Sequence, residues 1–144
     1  MEKEYPKIYL YKRVVQAKMF IDTHFAKPLD LNTVSDEASF SKFHFIRLFK
    51  KIYGMTPHLY LRKVRLEHAR KFLEEGRSVM ESCELAGFES IGTFTSLFKK
   101  EIGDTPSSYQ QKKFDRQHEM ASRPIQFIPN CFALSNGLVK EKQF

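Results

Sequence analysis

One stretch of this chain is written twice. Residues 41–60 read SKFHFIRLFKKIYGMTPHLY, and residues 90–109 read SIGTFTSLFKKEIGDTPSSY. Phe45, Leu48, Phe49, Lys50, Lys51, Gly54, Thr56, Pro57 and Tyr60 recur as Phe94, Leu97, Phe98, Lys99, Lys100, Gly103, Thr105, Pro106 and Tyr109, at a constant offset of 49 (94 − 45 = 109 − 60 = 49). Ser41 falls on Ser90 and Ala38 on Gly87 in the same register. Identities this dense, without a gap, require one structural unit used twice. Two copies are too few for a solenoid but suffice for a two-headed binding module.

The residues that punctuate the repeat are helix signals. Ser41 and Ser90 stand where a hydroxyl can accept from the free amides of a first helical turn, predicting helices over 42–53 and 91–102. Gly54 and Gly103 stop them. Thr56-Pro57 opens a long helix to about Glu74, with Leu59, Tyr60, Val64, Leu66, Ala69, Phe72 and Leu73 as its apolar contacts; Thr105-Pro106 opens a last one to about Gln117. Before each Ser-capped helix lies a shorter one, over 31–38 behind Asp30 and from Ser78 to Ala86. A short helix, a turn and a longer helix form a helix-turn-helix. A first helix over 8–25 presents Leu10, Val14, Ala17, Met19, Phe20 and Ile21 as one broad apolar face, and Lys27-Pro28 ends it. The expected fold is all-α with seven helices: a first helix-turn-helix subdomain over 8–55, a linker helix over 56–75 and a second subdomain over 76–117. Beyond 117 the helical period stops among Pro124, Pro129 and SNG, so 118–144 is expected to be a non-helical C-terminal extension.

Composition narrows the function. A length of 144 residues suits one domain or two very small ones, and 42% hydrophobic residues with 14 Phe can fill a core. The net charge of +7 and sequence pI near 9.4 favour anionic partners, nucleic acid first and an anionic membrane second. Cys83 and Cys131 have neither metal nor redox spacing, which fits a reducing interior. The opening MEKEYPKIYL has no apolar leader, and no apolar run reaches membrane-spanning length, so the chain is expected to be cytoplasmic. Its five histidines are scattered. No ligand spacing, Gly-rich phosphate loop or nucleophile elbow appears, so no catalytic residue, metal or cofactor is expected.

The helix over 42–53 has two unlike faces. Phe45, Leu48, Phe49 and Ile52 form a core stripe. The opposite side carries Lys42, Phe43, Ile46, Arg47 and Lys50. A face meant only for solubility would not set Phe43 and Ile46 between cations. That mixture suits a DNA groove, where thymine methyls neighbour guanine acceptors and phosphates. From 42 to 71 the cations are Lys42, Arg47, Lys50, Lys51, Arg62, Lys63, Arg65, Arg70 and Lys71, with Glu67 the only acid. Such segregation builds a local positive field that attracts phosphates and releases counterions.

These residues resemble a family. The run LNTVSDEASFSKFHFIRLFKKIYGMTPHLYLRKVRLEHARKFL, followed by GF-x₅-F-x₃-FKK-x₂-G-x-TP-x₂-Y over 87–109, is similar to the DNA-binding domain of AraC/XylS-family bacterial transcription regulators. The resemblance covers roughly 8–117. It implies two recognition helices entering successive major-groove segments of double-stranded DNA, the first presenting Lys42, Phe43, Ile46, Arg47 and Lys50, the second Ile91, Gly92, Thr95, Ser96 and Lys99. Repeat spacing puts them about one DNA turn, ~34 Å, apart, so a monomer suffices. A dimer through the tail and a contact with RNA polymerase are further expectations. With few residues before the first helix, the chain resembles the short, stand-alone members. Ser82 departs from the family's usual aliphatic residue, which loosens the second subdomain. The copies also differ where they face outward: Lys42, Phe43 and Arg47 align with Ile91, Gly92 and Ser96. The first helix is therefore expected to read bases and the second chiefly to hold phosphates. The alternative is a helical protein-interaction module whose apolar tail, with Ile125, Phe127, Ile128, Phe132 and Leu134, binds a partner.

Overall fold

A computed structural model of the protein describes residues 5–31 and 41–137. Its elements are α1 (Tyr5–His24), α2 (Lys42–Tyr53), α3 (Pro57–Glu74), α4 (Val79–Leu85), α5 (Ile91–Ile102), α6 (Pro106–Ser122), a 3₁₀ turn (Pro124–Phe127) and α7 (Asn130–Ser135), with no strand among the described residues. The short helix expected over 31–38 lies outside the described residues except for Leu31, which is buried.

The repeat acts first through its caps. Ser41 Oγ accepts from the His44 amide at 3.2 Å and Ser90 Oγ from the Thr93 amide at 3.3 Å. Thr56 and Thr105 do the same for Leu59 and Ser108 at the starts of α3 and α6, each followed by a proline whose missing amide has no helical partner to lose. Gly54 and Gly103 turn left-handed and return their amides to the carbonyls of Lys50 and Lys99.

The same register builds two cores. Val14, Ala17, Ile21, Leu31, Phe45, Phe49 and Leu61 form the first. Leu66, Ala69, Leu73, Cys83, Ala86, Phe94 and Phe98 form the second. The paired phenylalanines of α2 and α5 are almost wholly buried, and each contributes roughly 1.5–3 kcal/mol by leaving water. The repeated tyrosines lock the following helices in place. The Tyr60 hydroxyl donates to Asp22 of α1 at 2.6 Å, and the Tyr109 hydroxyl donates to Glu74 of α3. Burial first, then the carboxylate neighbour, raises the pKa of both phenols above the usual value.

The two cores meet at a junction of few residues. Arg65 of α3 donates from Nε to the Phe25 carbonyl at 2.8 Å and from a terminal nitrogen to the Lys27 carbonyl at 3.0 Å. These are free carbonyls just past the end of α1, and a guanidinium fork suits them. His68, one turn further along α3, stacks on the Phe25 ring with centroids 3.8 Å apart. Gly87, in the turn between α4 and α5, faces the same segment: a Cβ there would lie 2.7 Å from the Phe25 carbonyl oxygen.

Several expectations need correction. Among the described side chains of α1 the buried ones are Val14, Ala17 and Ile21, while Met19 and Phe20 are exposed. The 100° step between residues takes 19 and 20 off the stripe that 14, 17 and 21 share. Ile52 is likewise exposed, and on α3 it is Leu61, not Leu59, that enters a core. The tail is not non-helical. α6 runs on to Ser122 because nothing breaks it before Arg123-Pro124. The 3₁₀ turn and α7 then follow, the first starting at Pro124 and the second just after Pro129. Single turns are too short to show a helical period in sequence. The tail turns back on α6, where the Arg116 guanidinium lies 5.8 Å from the centre of the Phe127 ring.

Candidate nucleic-acid interface

The core contacts of α2 determine what it leaves outside. With Phe45 and Phe49 directed inward, Lys42, Phe43, Arg47 and Lys50 stand exposed on the other side. Phe43 is 74% exposed, more than any other large hydrophobic residue among those described. Leaving that ring in water forfeits the free energy of its burial. Arg47 folds along its own helix, Nε donating to the Phe43 carbonyl at 3.3 Å, and has no ion pair among the described residues. Ile46 differs from the expectation of a free outer group. It is half-buried and packs on the first core, beside Lys42 in a small cleft that Leu31, Phe45, Pro57 and His58 complete.

On α5 the outer face holds Ile91, 45% exposed, with Gly92, Ser96 and Lys99 exposed and Thr95 half-buried. Gly92 meets no fold requirement. A Cβ there would find only Ser90 Oγ, at an ordinary 3.6 Å. A glycine inside a helix costs roughly 1 kcal/mol relative to alanine, so its use here keeps the outer surface low at a point where the protein itself has nothing to fit.

Ion pairing divides the cations in two. Lys18, Arg70, Arg77, Lys112 and Lys113 have carboxylate partners. Among the described residues Lys42, Arg47, Lys50, Lys51, Arg62, Lys63, Lys99 and Lys100 have none, and all eight are exposed. These eight lie on α2, the first half of α3 and the end of α5, beside the outer faces; Lys12, Lys27, Lys71, Arg116 and Arg123 are exposed and without an ion pair among the described residues as well, elsewhere on the surface. Arg65 is not part of this supply. It is half-buried and tied to carbonyls, and burial lowers its pKa against a smaller opposing pull from Glu89.

The family profile described as "Helix-turn-helix domain" matches residues 34–112, more than half of the chain. PqrA of Proteus vulgaris, a probable transcription factor, is 36% identical over 84 residues, 58% of this chain and 69% of PqrA. The chain belongs to the AraC/XylS family. AdaA of Bacillus subtilis, named as a bifunctional transcriptional activator and DNA repair enzyme, is 33% identical over 93 residues; the match spans 64% of this chain and only 44% of AdaA. Among solved structures, the DNA-binding domain of AdpA in complex with a target DNA superposes with a TM-score of 0.65 at 25% identity, over 77% of this chain and 96% of that one. A probable AraC family regulator from Rhodopseudomonas palustris has the same fold, with a TM-score of 0.64 at 23% identity, over 71% of this chain and 97% of that one.

Within this AraC-family domain, five of the ten residues singled out from the sequence lie on α2 and five on α5, with Ile46 and Thr95 half-buried. His58 and Arg62 were not among them. Both are exposed on α3; His58 borders the clefts beside α2 and α5, and Arg62 the one beside α5. Their signal was present in the sequence as an i, i+4 pair at the start of the linker, where side chains share a face. Among the described residues no helix is long and apolar enough to cross a membrane, and no group of three or more His, Cys, Asp or Glu is placed to hold a metal ion.

Proposed function

We propose that this chain is a sequence-specific double-stranded DNA-binding transcription regulator that inserts α2 and α5 into successive major-groove segments. The observation that carries the reading is the outer face of α2, where exposed Phe43 stands among the unpaired cations Lys42, Arg47 and Lys50. An apolar ring beside free cations complements a groove edge that offers methyls, acceptors and phosphates. The relatives named as transcription factors and the AdpA complex with DNA support the same reading.

The copies divide the work. Arg47 on α2 supplies the bidentate fork suited to a guanine edge, worth about 1–3 kcal/mol of discrimination. On α5 Ile91 and Thr95 supply methyl contacts, Gly92 close approach, and Lys99 with Lys100 phosphate contacts. Selection of binding sites from a random duplex pool tests this, followed by titration at several salt concentrations. The chain should enrich one sequence and bind all duplexes with a salt-dependent affinity. Arg47→Ala should relax preference at one base position. Lys99→Ala should weaken all sequences alike and reduce the salt slope by about one. Binding without salt dependence would favour the protein-interaction module instead. Equal loss of preference on changing Thr95 or Ser96 would refute the division.

A further inference from the structure

The two outer faces are separated by the start of α3, and that separation is not neutral. His58 lines the small cleft with Lys42 and Ile46 at the first turn of α2. It also lines a larger open cleft of about 310 Å³ with Arg62, Arg65, Ser90 and Thr93, the last two at the first turn of α5. One residue thus borders the N-terminal ends of both helices. Arg62 follows it at i+4, on the same face. Glu89 lines the larger cleft too, but its pull falls on Arg65. Arg62 also borders the cleft on the other flank of α3, where Glu67 and Glu101 stand, and pairs with neither.

If two helices enter successive major-groove segments on one side of a duplex, the minor groove and its two flanking phosphate strands face the protein midway between them. The residues that meet those phosphates are the ones between the helix starts. We propose that His58 and Arg62 form a third DNA contact, to backbone phosphates of the segment between the two recognition sites. This rests on the DNA-binding reading above and adds a site to it. An exposed guanidinium without a carboxylate partner provides the charge, and the imidazole one turn earlier provides a hydrogen-bond donor. Neither carries sequence information, so the contact fixes register across the gap.

The test uses the full chain and a duplex of about 30 base pairs selected by the chain itself, long enough for two sites ~10 base pairs apart. Arg62→Gln and His58→Gln replace exposed side chains without described partners, so the unfolding midpoint should not move. Arg62→Gln should weaken binding severalfold and reduce the salt slope by about one, with His58→Gln giving a smaller loss. Replacing the phosphates between the two sites by neutral methylphosphonates should weaken the unaltered chain and erase its advantage over Arg62→Gln. The third contact is overturned if Arg62→Gln leaves affinity and slope unchanged while Lys50→Gln lowers both, and the DNA-binding reading then stands. It is also overturned if the methylphosphonate duplex still separates the two chains, because Arg62 then acts elsewhere. Should the unaltered chain bind no duplex in a salt-dependent way, the DNA-binding reading falls first and the contact with it.

Discussion

Replacing Gly87 by alanine should destabilise this protein more than the same change at Gly103, and the difference measures how closely the two halves approach. Both glycines sit at positive φ, 86° and 92°. An L side chain in that region costs roughly 1–2 kcal/mol. At Gly103 nothing lies within 4 Å of the added Cβ, so the conformational cost is the whole effect. At Gly87 the Cβ would stand 2.7 Å from the Phe25 carbonyl oxygen and 3.0 Å from both Cα and the carbonyl oxygen of Ala26. These are backbone atoms of a segment whose Phe25 and Lys27 carbonyls are bound by the Arg65 fork, and no flexible side-chain end can swing away. Overpacking of this kind costs about 1–3 kcal/mol. Gly87→Ala should therefore lose about 2–5 kcal/mol and Gly103→Ala about 1–2. The entropy that alanine removes from the unfolded chain is alike in the two variants and cancels in the comparison. Urea unfolding followed by circular dichroism gives both values from the midpoints and the slope. Equal losses would refute the argument, since the turn before α5 would then not touch the end of α1 in solution. A second readout follows from position. Gly87 lies in the turn that leads into α5, so a shifted junction moves α5 relative to α2. If α2 and α5 both enter DNA as proposed, the variant, where it folds, should prefer a different spacing between the two half-sites.

Three further changes test other features. Gly92→Ala should stabilise the fold by up to about 1 kcal/mol, because the position is helical and open, yet weaken DNA binding; a gain in both would show that no close approach occurs there. Ser82 is fully buried and its hydroxyl has no described partner. Ser82→Ala should raise stability by about 1 kcal/mol or more, read from the urea midpoint. His68, stacked on Phe25, has its pKa lowered from the ordinary 6.5, by burial first and the Lys71 charge second, against weaker opposing pulls from Asp22 and Glu67. The unfolded chain then binds the proton more readily. The contribution is present above about pH 6.5 and is lost as pH falls through the folded value. Midpoints measured from neutral pH down to about pH 5 should fall less in His68→Phe than in the unaltered chain.

What the sequence made legible was local. Caps, glycine stops and the phenylalanine stripes follow from residues within a turn or two of each other, and Ser41, Ser90, Thr56 and Thr105 all cap as their spacing implies. The outer face of α2 followed from the same wheel, apart from Ile46, which sits at the edge of the stripe and divides its surface between core and outside. The junction was illegible for a physical reason. Arg65 meets the carbonyls of Phe25 and Lys27 about 40 residues away, and no periodicity encodes a contact at that separation. Arg65 looked like one more cation of a basic run, whereas its nitrogens are already engaged. For His58 and Arg62 the sequence showed a shared helix face but not what borders it, since the cleft they share with the start of α5 exists only once α3 packs beside that helix.

The sharing of α3 explains why the duplication does not yield two independent heads. Leu61 belongs to the first core and Leu66, Ala69 and Leu73 to the second. Each half is near the size at which a chain needs help to bury enough surface, and the help is one helix used twice. Tyr60 and Tyr109 repeat the bargain on a smaller scale, one bonded back to α1 and the other to α3. So α3 stands to the second half as α1 stands to the first. That arrangement ties the separation of α2 and α5 to the integrity of both cores. A change of spacing through α3 cannot be made without cost to folding, whereas the outer residues of either helix can change freely. Lys42, Phe43 and Arg47 against Ile91, Gly92 and Ser96 show that such change has occurred on the outside while the inside stayed repeated.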